Sequence, residues 1–448
     1  MIRDNWQTIR TLKPEIRTYL CGYFVFMFSF AGMRAVLMNL YMLRLGYGLE
    51  TIGVLNGLTY GTFALFALPA GCLAKRFAVA PMIVTGAILL FAANSLMIAN
   101  ELFTREIGRY VLYVSGLIMG VGGALFIVCS LPFLMTCAPE HKESVFSYRF
   151  LASLLGGFFG AILAGFLPGA LGHLTGLGTD GPAVYRHSFM LTAMISAVPI
   201  ATSLRMGRIR TEEPSGGERD PQADALDASA EADPATTGLH ASAATRLVWI
   251  VGMLALITFL STMGHTASHS FYNLLLETVF SVPVATIGLV MGLSQIIKLP
   301  GALMAPSLTK RYGPYRLMLA SSVVRSSAVL AIAFATHWIW TAVALLVAAV
   351  VESAAAGAGD LFNQSIVEPA DRPIMAGAFT TAFGVGGATL LFAGGFIAAS
   401  VGFSTLYLIA SATGFASVIL LWSTFHRKVR DLLPDYHPDA AAPATVKP

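Results

Sequence analysis

Apolar runs long enough to cross a bilayer, about 20 residues each, recur along the whole chain and constrain its fold more than any single motif. They fall near 18–42, 50–73, 81–100, 109–136, 149–171, 187–206, 247–276, 285–308, 315–336, 338–361, 373–399 and 402–425. A chain built this way is all-α and membrane-embedded, because hydrocarbon leaves every backbone polar group to be satisfied within its own helix. Charge content agrees with that reading. Only 12% of the residues are charged, against about 25% in water-facing domains, which is too little to cover a soluble surface.

The twelve runs form two sets of six with a shared text. Thr51-Ile52-Gly53, Gly57 and Leu73-Ala74-Lys75-Arg76-Phe77 are matched, at the same internal spacing, by Thr286-Ile287-Gly288, Gly292 and Leu308-Thr309-Lys310-Arg311-Tyr312. Membrane proteins with repeated halves hold a solute site near the bilayer midplane, where the halves rock against each other. The sets are separated by 207–245, a small, acidic, alanine-rich stretch that cannot bury enough surface to fold and is expected to be a disordered linker. The expected layout is a cytoplasmic N-terminal segment over 1–17, six-helix bundles over 18–206 and 246–426, and a cytoplasmic tail over 427–448. The first run is too long for a signal-peptide core and is expected to remain as a span. Short basic connections at Lys75-Arg76, Lys142 to Arg149, Lys310 to Arg316 and Arg372 place both termini in the cytoplasm of a bacterial-type inner (plasma) membrane.

Several functions find no support. The cysteines (Cys21, Cys72, Cys129, Cys137) form no CxxC pair, so neither a disulfide nor a metal centre is expected. No water-accessible Gly-rich phosphate loop and no nucleophile–base constellation is visible, so neither an ATP-driven motor, an enzyme nor a cofactor is expected. The basic residues follow the cytoplasmic membrane face, which leaves nothing for dedicated nucleic-acid binding.

Six plus six spans, a parallel repeat, a central loop and a basic turn after the second span of each half resemble the major facilitator superfamily over almost the whole chain. The signature turn of that family typically reads Gly-x-Leu-x-Asp-Arg-x-Gly-Arg-Arg. Its counterparts are Gly71-Cys72-Leu73-Ala74-Lys75-Arg76-Phe77-Ala78 and Pro306-Ser307-Leu308-Thr309-Lys310-Arg311-Tyr312-Gly313, with lysine replacing the aspartate in both. The resemblance implies a gating role for Gly71, Lys75, Arg76, Lys310, Arg311 and Gly313. A lysine would be repelled by the helix N-terminus that the aspartate is thought to face, so lipid headgroups or Glu140, Glu143, Glu368 and Asp371 are alternative partners, beside simple membrane anchoring. Drug exporters of the family carry an arginine in the fourth span, where Gly116 to Gly123 stands here, and a Gly-Pro pair in the fifth that this chain lacks. The resemblance further implies that spans 1, 4, 7 and 10 line a central cavity, that 3, 6, 9 and 12 lie outside, and that the protein is a monomer.

A charge at mid-span costs roughly 2.5–3.5 kcal/mol on insertion scales, so each one calls for a reason. Arg34, Lys298, Arg325 and Glu352 stand near the midplane, and Asp360 closer to the cytoplasmic end. Arg34 is the leading substrate contact, since a guanidinium holds a carboxylate or phosphate in a fork; an internal ion pair with Glu352 is an equal alternative. Lys298, ahead of Pro300-Gly301 where the helix is expected to break, is a second anion contact. Arg325, on a span placed outside, suits a structural pair. Glu352 is the candidate proton-coupling group. His265 and His269 share one helix face at i, i+4 and could relay protons, contact solute or bond across the cavity mouth; with no third ligand at helical spacing, a metal site is not expected. Asn39 and Asn273, at nearly equivalent repeat positions, are further substrate candidates, with Tyr41, Tyr272 and Gln295 as possible neutral contacts. The resulting expectation is an alternating-access secondary transporter, embedded in the bilayer, that moves a small organic solute, an anion by preference, with H+ as coupling ion. Its alternatives are an exporter of drugs or lipid-like amphipathic metabolites and, in another class, a non-transporting sensor or assembly factor of the same fold.

Overall fold

A computed structural model describes residues 12–137, 142–176, 178–210, 237–367 and 371–426. Among the described residues twelve helices are long and apolar enough to cross a membrane: α1 Pro14–Arg44, α2 Leu49–Ala74, α3 Val79–Leu102, α4 Arg105–Met135, α5 Ser144–Thr175, α6 Pro182–Arg205, α7 Leu247–Ser270, α8 Val284–Tyr312, α9 Pro314–Ala333, α10 Trp338–Asn363, α11 Ile374–Ser400 and α12 Phe403–Phe425. Helix starts at α1, α6 and α9 carry proline in the first turn, where its missing N–H has no intrahelical acceptor to lose. Pro14 with Glu15 behind it begins α1 inside the segment expected to precede the bundle. The ends of the expected linker are helical as well, through Arg210 on one side and from Thr237 on the other. Its centre, 211–236, and the terminal stretches 1–11 and 427–448 lie outside the described residues.

The repeat in sequence is a repeat in packing. In the first half α1 packs on α5 and α6, α2 on α4, and α3 on α4 and α6; in the second, α7 packs on α11 and α12, α8 on α10, and α9 on α10 and α12. The halves meet along two equivalent seams, α2 with α11 and α5 with α8. The repeated glycines make these seams. A Cβ on Gly53 would come within 2.7 Å of Gly395 Cα, and one on Gly288 within 2.6 Å of Gly165 Cα, so only hydrogen at these positions lets the backbones approach as they do.

Three helices are irregular beside the space between the halves. α1 widens into a π-helical stretch over Phe28–Arg34, next to the point where Gly32 meets Gly160 of α5. α7 stops at Ser270, passes through Phe271 (φ −104°, ψ −2°) and resumes as Tyr272–Thr278. α8 is interrupted at Ile297, and Lys298 opens its second piece. Pro300 has no N–H to offer the carbonyl of Ile296, so the break falls one turn ahead of the proline. Irregular backbone within a membrane protein is tolerated where protein buries it or where it lines a cavity. Here it does the latter.

Candidate functional site

A cavity of about 280 Å³ lies between the halves at these irregular segments. Its walls come from α1 (Arg34, Met38, Asn39), α2 (Asn56, Tyr60), α7 (His265, Ser268, His269), α8 (Gln295, Lys298) and α10 (Leu345). α4, a lining helix by family resemblance, contributes nothing to this wall. Its glycines Gly116 and Gly120 instead seat it behind α2, against Leu55, Thr59 and Thr62. A second space of about 180 Å³ adjoins, sharing His265 and running between α7, α9, α10, α11 and α12 past Arg325 and Glu352 to Asp360 and Asn363.

The charged residues separate into two groups. Arg34 is 5% exposed; its Nη1 donates to Asn94 Oδ1 at 2.9 Å and to Met97 Sδ at 3.6 Å, both on α3. Glu352 is not its partner. That carboxylate faces the α7 imidazoles instead, with Oε2 3.5 Å from His265 Nδ1 and 3.7 Å from His269 Nε2. Lys298 and Arg325 also act on Glu352 electrostatically, and Arg325 donates to Ser261 Oγ of α7. A third ligand for the histidines, missing at helical spacing, is thus supplied by another helix: one atom each from His265, His269 and Glu352 lie within 4.8 Å of one another.

Asn39 and Asn273 tie the two halves together beside the cavity, toward the C-terminal ends of α1 and α7. Asn39 Nδ2 donates across the halves to Ser270 O at 2.7 Å and to Asn273 Oδ1 at 3.0 Å. Asn273 Nδ2 returns the contact to Ala35 O and Val36 O, each at 3.1 Å. Each asparagine therefore satisfies carbonyls next to the irregular turn of the opposite lining helix, a reciprocity expected of equivalent positions in a two-fold repeat. Asn56 Nδ2 of α2 donates to Asn39 Oδ1 at 3.0 Å. Asn39 still touches the cavity, whereas Asn273 is fully buried behind it. Just beyond, Arg44 at the end of α1 pairs with Glu277 of the other half, and its guanidinium lies 5.1 Å from the Tyr185 ring centroid. Tyr41 donates to Glu101, which Arg186 pairs at 3.2 Å, within the first half. Tyr272, also a candidate contact, lines the cavity and bonds to Thr341 at 3.0 Å. Arg44, Asn56, Asn94, Glu101 and Glu277 were not singled out from sequence; the available signal was polar residues within or beside apolar runs whose partners lie in other spans.

Comparison with known proteins gives the same architecture. A family profile described as Major Facilitator Superfamily matches residues 19–256 and 254–445. The chain belongs to the Major Facilitator Superfamily. No curated protein matches it significantly by sequence. Among solved structures it is similar to a point mutant of the nucleoside transporter NupG (16% identity, TM-score 0.68, covering 92% of this chain and 100% of that one). It is also similar to a bacterial homologue of the iron transporter ferroportin in an inward-facing state (15%, 0.67, 91% and 98%) and to an auto-inhibited POT family peptide transporter (16%, 0.67, 93% and 97%). At these identities the likeness establishes the major facilitator fold and carries no substrate with it.

The two major facilitator turns are not built alike. In the second, Gly313 caps α8 at φ +80°, a left-handed conformation that favours glycine. In the first, Ala78 sits at φ −59° and ψ 128°, so alanine suffices. Gly71 is half-buried, with Val128 the nearest side chain. Lys310 and Arg311 are exposed, and the Arg311 guanidinium lies 5.3 Å from the Tyr312 ring centroid. The side chains of Lys75, Arg76 and Glu143, together with Glu140 and Glu368, lie outside the described residues.

Proposed function

We propose that this protein moves a small organic anion across the inner (plasma) membrane by alternating access, with both termini cytoplasmic and the cavity open inward. One observation carries the reading. Arg34 and Lys298 line the cavity, and neither has a carboxylate within 4 Å among the described residues. Cations at this depth are costly unless paired, and Arg34 is held only by neutral groups of α3. A carboxylate or phosphate of the solute is the counter-charge Arg34 lacks and a closer one for Lys298 than Glu352, with Asn39, His265 and His269 offering further polar contacts. Protons are the coupling ion in this reading. Glu352 carries them, faced by His265, His269, Lys298 and Arg325. A single copy of the chain contains the whole site, so a monomer suffices.

The test is a thermal-shift screen of the purified protein against anionic, neutral and cationic-amphipathic solutes, since binding to the folded state alone raises apparent stability. An anion that stabilises wild type and not Arg34→Ala supports the proposal. Stabilisation by cationic or lipid-like compounds alone refutes it.

A further inference from the structure

The anion reading uses His265 and His269 as polar contacts and Glu352 as proton carrier; the geometry of the three together supports a further use. The two imidazoles lie on adjacent turns of α7, ring centroids 4.5 Å apart, and one oxygen of Glu352 on α10 faces both. Its distances to Nδ1 and Nε2, 3.5 and 3.7 Å, exceed those of an N–H···O hydrogen bond, which run about 2.7–3.2 Å. They are instead close to the separation of two ligand atoms on one small ion. With metal–nitrogen and metal–oxygen bonds of about 2.0–2.2 Å in a tetrahedral site, neighbouring donors stand roughly 3.3–3.5 Å apart. All three donor atoms fall within 4.8 Å of one another.

We propose that these three residues form a binding site for a divalent transition-metal ion of the zinc, cobalt or nickel class, with its remaining coordination positions open to the cavity. Donor chemistry selects the class: two imidazoles and one carboxylate suit borderline ions, whereas calcium and magnesium take all-oxygen sets. The residues sit between the two spaces described above, 22%, 27% and 27% exposed for His265, His269 and Glu352, so an ion can enter and leave. Three protein ligands with an open position are the pattern of zinc sites that take a water or solute donor, rather than of closed structural zinc. Lys298 and Arg325 act on the same carboxylate, which weakens the site for any cation and leaves the imidazoles to supply most of the affinity. The open positions face the cavity that holds Arg34 and Lys298, so a donor atom of an anionic solute can complete the sphere. The site rests on the transport cavity but not on the anion assignment.

The test is calorimetric titration of the full-length detergent-purified chain with Zn2+ and Co2+, and with Mg2+ and Ca2+ as hard-ion controls. One Zn2+ per chain is expected, at least 100-fold tighter than Mg2+ and weakening as pH falls, because the ligands must shed protons. His265→Ala, His269→Ala and Glu352→Gln should each lower affinity tenfold or more. Arg34→Ala should keep the metal while losing the anion, so failure of one assignment is distinguishable from failure of the other. If a variant is not monodisperse, wild type decides by histidine modification with diethyl pyrocarbonate, read by mass spectrometry: Zn2+ should shield His265 and His269 and leave His337 reactive. No stoichiometric binding, full binding in all three variants, or no shielding would overturn the site.

Discussion

Replacing Asn273 with alanine should open the face remote from the termini. The side chain is fully buried and ends three hydrogen bonds between the halves: from its Nδ2 to Ala35 O and Val36 O, and from Asn39 Nδ2 to its Oδ1. Interhelical hydrogen bonds in a membrane protein are worth about 0.6 kcal/mol each by double-mutant cycles, so the closed face loses about 2 kcal/mol. That shifts the balance toward the open face roughly 30-fold, at about 1.4 kcal/mol per factor of ten. The readout is modification of Ser268→Cys, a cavity position, by a membrane-impermeant maleimide added on that face, with the four natural cysteines replaced by serine. Labelling should accelerate by one to two orders of magnitude in Asn273→Ala. An unchanged or slower rate would refute the closing role of the asparagine pair.

Glu277→Gln should act in the same direction but more weakly, raising the labelling rate fivefold or less. The Arg44–Glu277 pair is largely buried, 19% and 13% exposed, but glutamine keeps an acceptor for the guanidinium and Arg44 retains Asp180 at 3.6 Å. Gly288→Val should force α8 away from α5 at the seam. Overpacking of this kind costs about 1–3 kcal/mol, visible as a lower Tm in detergent. The same substitution at Gly252, which has open space around it, should leave Tm within about a degree.

The spans and the two halves were legible because the hydrocarbon permits little else: long apolar runs give helices, and a repeated Thr-Ile-Gly-x-x-x-Gly marks two equivalent sets of them, although which helices would meet at those glycines was not legible. Helix rotation was not legible. In an all-apolar span the 3.6-residue periodicity that fixes a face is absent, so Arg34 could be assigned equally to a solute or to Glu352, and Asn94 on α3 went unseen as its support. Glu352 and the histidine pair were each conspicuous as polar residues in apolar runs, yet their meeting depends on how α10 is turned against α7. Asn39 and Asn273 stood out by repeat position, and the structure uses both to join α1 to the segment after α7, with Asn39 also lining the cavity. The departure at the signature turns, lysine for aspartate, stands in sequence; of its proposed partners only Asp371 is described, and Lys310 makes no ion pair with it within 4 Å.

Alternating access is tested most directly by flux through proteoliposomes of the anion found to stabilise the protein, with a reversible cross-link between cysteines at positions 39 and 273. Saturable uptake that needs Arg34, stops on oxidation and returns on reduction is the expected result. A solute that binds through Arg34 and is never carried, or flux indifferent to the cross-link, would contradict a transporter whose two halves open that face in turn.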